Sequence, residues 1–229
     1  MKVAVIRFPG ANCDQDAYFS LREDLGIQAE YVWHEDHSLE GFDAVFLPGG
    51  FSYGDYLRCG AMASRAPIMA EVRRFAEEGR PVIGACNGFQ VLCEAGLLPG
   101  ALLLNAGQKF LCKDVYLAVE NRTSLWTRGV DKILRLPIAH GEGRYIADED
   151  AVARLEDNGQ IAFRYVDASG ARTDESNVNG SAHAIAGVLN TKGNVLGLMP
   201  HPERATKALL GSTDGLAIMN AFHLVASNR

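Results

Sequence analysis

The chain has little of what marks a secreted, membrane-bound or nucleic-acid-binding protein. Its five cysteines (Cys13, Cys59, Cys86, Cys93, Cys112) are odd in number, widely spaced and without a Cys-x-x-Cys pair. That argues against a disulfide framework and against a zinc site, so no metal ligands are expected. No apolar run approaches the roughly 20 residues of a membrane span, and the stretch Val3 to Ile6 ends at Arg7, too short for a secretory signal core. A cytoplasmic protein without membrane association is expected. No Lys/Arg-rich block stands out, and 22 basic against 28 acidic residues leave a formal charge of -6, which argues against nucleic acid as a partner. A GxxxxGK[ST] phosphate loop, internal repeats, low-complexity segments and linker-like stretches are also missing.

What is present is a 48% apolar composition over 229 residues, enough for one buried core and a single domain spanning 1–229. In the first half, short apolar runs alternate with helical patterns, predicting an α/β fold with a mostly parallel central sheet flanked by helices. Strands are expected at Lys2 to Phe8, Ala29 to Trp33, Ala44 to Leu47 and Pro81 to Ala85. Helices are expected at Asn12 to Leu25 and about Ala61 to Glu78, the latter closed by Gly79. Beyond Gly100 the runs Lys109 to Val119, Lys132 to Ile138, Ile161 to Val166, Ile185 to Leu189 and Val195 to Met199 read as strands with few helices between them. They suit a partly antiparallel C-terminal extension. Asn179-Gly180 suits a tight turn, and Leu216 to Val225 a last helix.

The segment Pro81-Val82-Ile83-Gly84-Ala85-Cys86-Asn87-Gly88-Phe89-Gln90 places a cysteine between a buried strand and the start of a helix. Gly84 and Gly88 remove side chains where a sharp strand-to-helix turn crowds the backbone, as in the serine version of the nucleophile elbow. A free thiol with a pKa near 8.5 is only a few per cent thiolate at neutral pH, but a helix N-terminus and a nearby imidazole both favour the anion. The other four cysteines read as small core residues, the usual place of a free thiol.

Met199-Pro200-His201-Pro202-Glu203-Arg204 puts a histidine and a glutamate two positions apart after an apolar strand. If the chain stays extended, both point to one side, and the carboxylate can hold the imidazole in the tautomer that takes a thiol proton. His34, His37, His183 and His223 read as surface or hydrogen-bonded residues. The elbow alone leaves open a peptidase or thiol chaperone, or a non-catalytic module on the same architecture, since fold does not fix function.

Together the cysteine elbow and the late His-x-Glu resemble the triad-type (class I) glutamine amidotransferases, and Phe89-Gln90 in the elbow resembles their purine-biosynthetic subgroup. Leu47-Pro48-Gly49-Gly50-Phe51-Ser52-Tyr53-Gly54-Asp55-Tyr56-Leu57-Arg58, Ala139-His140-Gly141-Glu142-Gly143-Arg144 and Gly193 to Glu203 extend the likeness over nearly the whole chain. The resemblance implies a flavodoxin-like fold and hydrolysis of glutamine through a Cys86 thioester. His201 would be the base and Glu203 its orienting acid. Gly49, Gly50 and the amide of Asn87 would form an oxyanion hole. Phe51, Gln90 and His140 are the candidate glutamine contacts; helix surface for Gln90 and a backbone-satisfied turn for His140 are equally open. Tyr53, Asp55, Tyr56 and Arg58 are candidates for a pocket wall or a partner contact. The resemblance also implies a ligase in which ammonia made here is used elsewhere. This chain carries no cofactor, a large synthetase subunit uses ATP and magnesium, and a small third subunit bridges the two.

Overall fold

The computed structural model describes residues 1–227. Among them, eleven strands form a nine-stranded sheet and a small two-stranded one. They are β1 (Lys2–Arg7), β2 (Gln28–Trp33), β3 (Ala44–Leu47), β4 (Val82–Ala85), β5 (Ala101–Leu103), β6 (Leu111–Val119), β7 (Leu134–His140), β8 (Arg144–Ile146), β9 (Ile161–Val166), β10 (Ile185–Leu189) and β11 (Val195–Leu198). The large sheet runs β2-β1-β3-β4-β11-β10-β9-β6-β7. Its first five strands are parallel neighbours and the remaining pairings are antiparallel, as the change of pattern after Gly100 predicts. The short β5 and β8 pair separately.

One strand departs from the expected grouping. β11 does not end the antiparallel extension but inserts beside β4 in parallel, with Leu198 opposite Ala85. This register brings the last motif of the chain next to the cysteine turn. Both faces of the sheet are covered: Val3 and Val5 pack into one apolar cluster, and Ala4 and Ile6 into the other. Two-sided burial explains why β3 and β4 are continuous apolar runs with every residue buried.

The first helix, α1 (Asp14–Phe19), continues as a π-helical turn over Ser20–Asp24. The second, α2 (Ile68–Glu77), begins later than its pattern suggests. Pro67 disfavours helical geometry at Ala66, which is extended (φ -62°, ψ 147°), so residues before it form only a 3-10 turn, Ala63–Arg65. Helix α3 (Asn87–Glu94) follows the cysteine turn, and α5 (Leu216–Met219) and α6 (Ala221–Ser227) divide the expected final helix. Helix α4 (Glu149–Asp157) was not expected. Its signals are short: Asp148 caps it by accepting from the Ala151 amide at 2.7 Å, and only Val152 and Leu155 are buried.

Candidate active site

The site lies at the carboxyl ends of the parallel strands, where open α/β sheets place their ligands. Cys13 lies beyond β1, Gly49 beyond β3, Cys86 at the end of β4, and His201 beyond β11. These positions converge because the strands are neighbours, and Gly49 lies at the centre. A methyl group on its α-carbon would lie 2.6 Å from His201 Cε1, 3.3 Å from Cys86 Cβ and 3.3 Å from Cys13 Sγ. Gly49 is therefore bare because three side chains occupy the space around it.

Cys86 has φ 51° and ψ -108°, a conformation rare for a residue with a Cβ and one that sharp functional turns retain. The crowding expected around it is present. A Cβ on Gly84 would sit 2.6 Å from the Gly88 carbonyl, and one on Gly88 would sit 2.0 Å from the Leu47 oxygen. The Cys86 amide donates to Leu198 O at 2.8 Å, tying the turn to β11, and its thiol approaches Ala139 O at 3.8 Å.

His201 and Glu203 are both buried, and the imidazole Nδ1 lies 2.6 Å from Glu203 Oε1. The segment is not extended as expected. Pro202–Arg204 is a 3-10 turn, and this turn, rather than strand alternation, folds the carboxylate back onto the ring. The His201 amide donates to Pro137 O at 2.9 Å, fixing the turn against β7. Burial by itself pushes the imidazolium pKa down, but the Glu203 carboxylate and then Cys86 outweigh it, so the pKa of His201 is raised. With Nδ1 directed at Glu203, His201 Nε2 is buried and, among the described residues, has no partner other than its interaction with the Cys86 thiol.

The other candidates separate into engaged and free groups. Gly50 has φ +126°, and a Cβ there would lie 2.5 Å from the Asn12 nitrogen, so glycine is required. Asn87 opens α3, where helix amides lack intrahelical partners. Gln90 is buried and spent within the protein, accepting from Asn87 Nδ2 at 2.8 Å and donating to Glu142 O at 2.6 Å. His140 is the last residue of β7 and not part of a loop. Its Nδ1 lies 3.0 Å from Asn105 Oδ1, its Nε2 has no hydrogen-bond partner among the described residues, and burial pushes its pKa down to about 4. Phe51 is half exposed and lines a cleft of about 140 Å³ that reaches His201.

In the Phe51 to Arg58 loop, Tyr53 OH bonds His34 Nδ1 at 2.7 Å and Arg58 makes a two-point ion pair with Glu94, each bond 2.6 Å. Asp55 interacts with the Cys59 thiol. Tyr56 remains free at 74% exposed, beside Leu57 at 91%. Tyr53, Asp55 and Leu57 all have positive φ without being glycine, so the backbone of this loop is strained.

Cys13, read from the sequence as an ordinary core thiol, is buried but lies at the site. Arg204 Nη2 donates to its sulfur at 3.1 Å, and Asp16 holds the same guanidinium at 2.9 Å. Burial pushes the Cys13 thiol up to about 12, so it stays protonated near neutrality. Its local sequence carries no signal of this, because the contact with Arg204 is long-range. Phe110, Asn12 and Arg204 also line the cleft. Among the described residues, no group of three or more His, Cys, Asp or Glu side chains is arranged to hold a metal ion, and no helix is long and apolar enough to cross a membrane.

Comparison with known proteins shows the family of the chain. The family profile of the CobB/CobQ-like glutamine amidotransferase domain matches residues 1–215. Phosphoribosylformylglycinamidine synthase subunit PurQ of Thermus thermophilus is 60% identical over 222 residues, 94% of this chain and 95% of that one. The subunit of the same name from Chlorobaculum parvum is 52% identical over 233 residues, 100% of this chain and 92% of that one. Among solved structures, PurLQS from Thermotoga maritima matches with a TM-score of 0.87 at 44% identity, covering 98% of each chain. A glutamine amidotransferase from the same organism, at 14% identity and a TM-score of 0.58 over 100% of this chain and 85% of that one, shares the fold.

Proposed function

This chain belongs to the glutamine amidotransferase family, in the branch of phosphoribosylformylglycinamidine synthase PurQ subunits, and from that premise we propose that Cys86, His201 and Glu203 are its glutaminase triad. The observation that carries the reading is the buried His201–Glu203 pair at 2.6 Å, packed with Cys86 against the bare Gly49. Cys86, having given its proton to His201, attacks the side-chain carboxamide carbon of glutamine. The amides of the Gly49-Gly50 turn and of Asn87 receive the oxyanion; such donors are worth about a hundredfold or more in rate. When the tetrahedral intermediate collapses, the C–N bond breaks and His201 returns the proton to the departing ammonia. Water, deprotonated by His201, then cleaves the γ-glutamyl thioester to glutamate and restores the thiol. Glu203 holds the ring so that Nε2 faces the sulfur, and stabilises the imidazolium formed in each half-reaction.

Ammonia made here serves a synthetase that converts formylglycinamide ribonucleotide to its amidine with ATP and magnesium, in purine biosynthesis in the cytoplasm. The likeness to PurLQS supports an assembly with a large synthetase subunit and a small third one. The free tip of the Phe51 to Arg58 loop, Tyr56 with Leu57, is the best-suited contact for that partner, since Tyr53 and Arg58 are bonded within the chain. Phe51 and His140 are the proposed glutamine contacts: Phe51 lines the cleft, and His140 Nε2 has no hydrogen-bond partner among the described residues. Gln90, with both amide groups already bonded, is better suited to holding the site together.

The test is the assembled complex assayed with glutamine and, separately, with ammonium salt. Cys86→Ala is expected to abolish glutamine-dependent synthesis while leaving ammonia-dependent synthesis intact. Retained glutamine-dependent synthesis would remove Cys86 from the mechanism, and equal loss of both would assign the effect to assembly.

A further inference from the structure

The turn that carries the oxyanion donors is braced on two sides, and the braces differ in kind. On the β1 side the contacts are main chain: Phe51 N–H donates to Gly10 O at 3.1 Å, Tyr53 N–H to Pro9 O at 2.6 Å, and Cys13 N–H to Gly49 O at 3.4 Å. On the α3 side a side chain makes the contact, with Ser52 N–H donating to Asn87 Oδ1 at 3.3 Å. Asn87 Nδ2 in turn donates to Gln90 Oε1 at 2.8 Å, and Gln90 Nε2 to Glu142 O at 2.6 Å. The series ends beside His140, where Gly143 N–H and His140 Nδ1 share Asn105 Oδ1, each at 3.0 Å.

Ser52, Asn87 and Gln90 are 2%, 1% and 5% exposed, so water is not available to replace a lost partner. A carboxamide is suited to this position because it offers an acceptor toward Ser52 and a donor toward Gln90 at once. Position 87 also follows the nucleophile directly, and its own main-chain amide is one of the proposed oxyanion donors. The same residue therefore contributes to one half of the hole and restrains the turn that forms the other half.

We infer that the Asn87 side chain is a positioning residue for glutamine hydrolysis, tying Ser52 to Gln90 and Glu142 so that the two halves of the oxyanion hole keep a fixed spacing about Cys86. This rests on the triad reading above. The oxyanion develops only in the transition state, so loss of the tether should lower kcat while leaving substrate binding nearly unchanged.

The experiment measures glutamine kcat and KM in the assembled complex for wild type, Asn87→Ala and Gln90→Leu, with the rate of Cys86 alkylation by iodoacetamide followed by peptide mass. Alkylation needs the nucleophile and its base but no oxyanion hole. For Asn87→Ala, kcat should fall about a hundredfold, with KM and alkylation rate within about threefold of wild type. Gln90→Leu leaves the Ser52 bond but frees Asn87; its kcat should fall about tenfold, the worth of one hydrogen bond. It keeps the test decisive if Asn87→Ala does not fold. Unchanged kcat in both variants overturns the inference. So does a parallel fall of kcat and alkylation, which marks collapse of the elbow, and so does a Gln90→Leu effect confined to KM, which places Gln90 against the substrate. Failure of the triad reading is separate: it appears as glutamine-dependent synthesis surviving in Cys86→Ala.

Discussion

His201 and Glu203 are both out of water, so neither can be altered without stranding the other. Glu203→Gln keeps the shape but removes the charge that outweighs burial at the imidazole. Its glutamine-dependent kcat should fall by roughly 10⁴, the scale seen when the acid of a catalytic triad is made neutral, while circular dichroism stays unchanged. A loss below about tenfold would remove Glu203 from the orienting role. His140 gives a pH prediction of definite sign. Its pKa is pushed down to about 4 in the folded protein against the ordinary value near 6.5. Between these values the unfolded chain binds a proton that the native one does not, so stability falls as pH drops from about 6.5 to 4 and then levels off. The upper bound is about 3 kcal/mol. Urea unfolding at pH 7 and pH 4.5 should show a smaller loss in His140→Gln than in wild type, and equal losses would contradict the burial argument. At this scale the nucleophile was legible because its neighbours are glycines with a steric reason, whereas Cys13 was not. Nothing in Asn12-Cys13-Asp14 reveals that Arg204, nearly two hundred positions later, lies against that sulfur.

The elements that make the site are ordinary strands, and their chemistry depends on how tightly the turns between them close. Gly88 is the clearest case, since an added Cβ would overlap the Leu47 carbonyl of β3, which is backbone and cannot rotate away. Gly88→Ala should therefore destabilise the protein by about 3 kcal/mol or more, read as a lower melting temperature. Gly79→Ala serves as a reference because an added Cβ meets nothing there, although its φ of +80° still carries a smaller cost. A Gly88→Ala melting temperature equal to wild type would mean that the turn is looser than its geometry implies. Periodicity located β3 and β10 to the residue because two-sided burial leaves uninterrupted apolar runs, and β9 likewise, although its run is broken by Arg164, which is buried and paired with Glu156. It overextended α2 because apolar spacing continued through Pro67, where backbone sterics prevail over the pattern. It also passed over α4, whose apolar face is only two buried residues wide.

At the scale of the whole molecule, the pairing of β11 with β4 joins the cysteine elbow to the His-x-Glu motif near the other end of the sequence. Strand order is a non-local property, so apolar content alone identified β11 as a strand but not as the neighbour of β4. The molecule is also expected to be incomplete as a catalyst of synthesis. The isolated chain should hydrolyse glutamine weakly and be stimulated by the synthetase, and strong unaided activity would count against that dependence. Tyr56→Ala with Leu57→Ala should weaken complex formation by about tenfold or more without altering the melting temperature, because neither side chain is packed in the free chain. On the proposed mechanism Cys86, and not the nearby Cys13, forms the glutamyl thioester. A glutamine analogue bearing a diazoketone, reacted with the complex and followed by intact mass and peptide mapping, tests it most directly. One adduct is expected, on Cys86, with glutamine-dependent synthesis lost and ammonia-dependent synthesis retained. An adduct on Cys13, or inactivation without modification of Cys86, would contradict it.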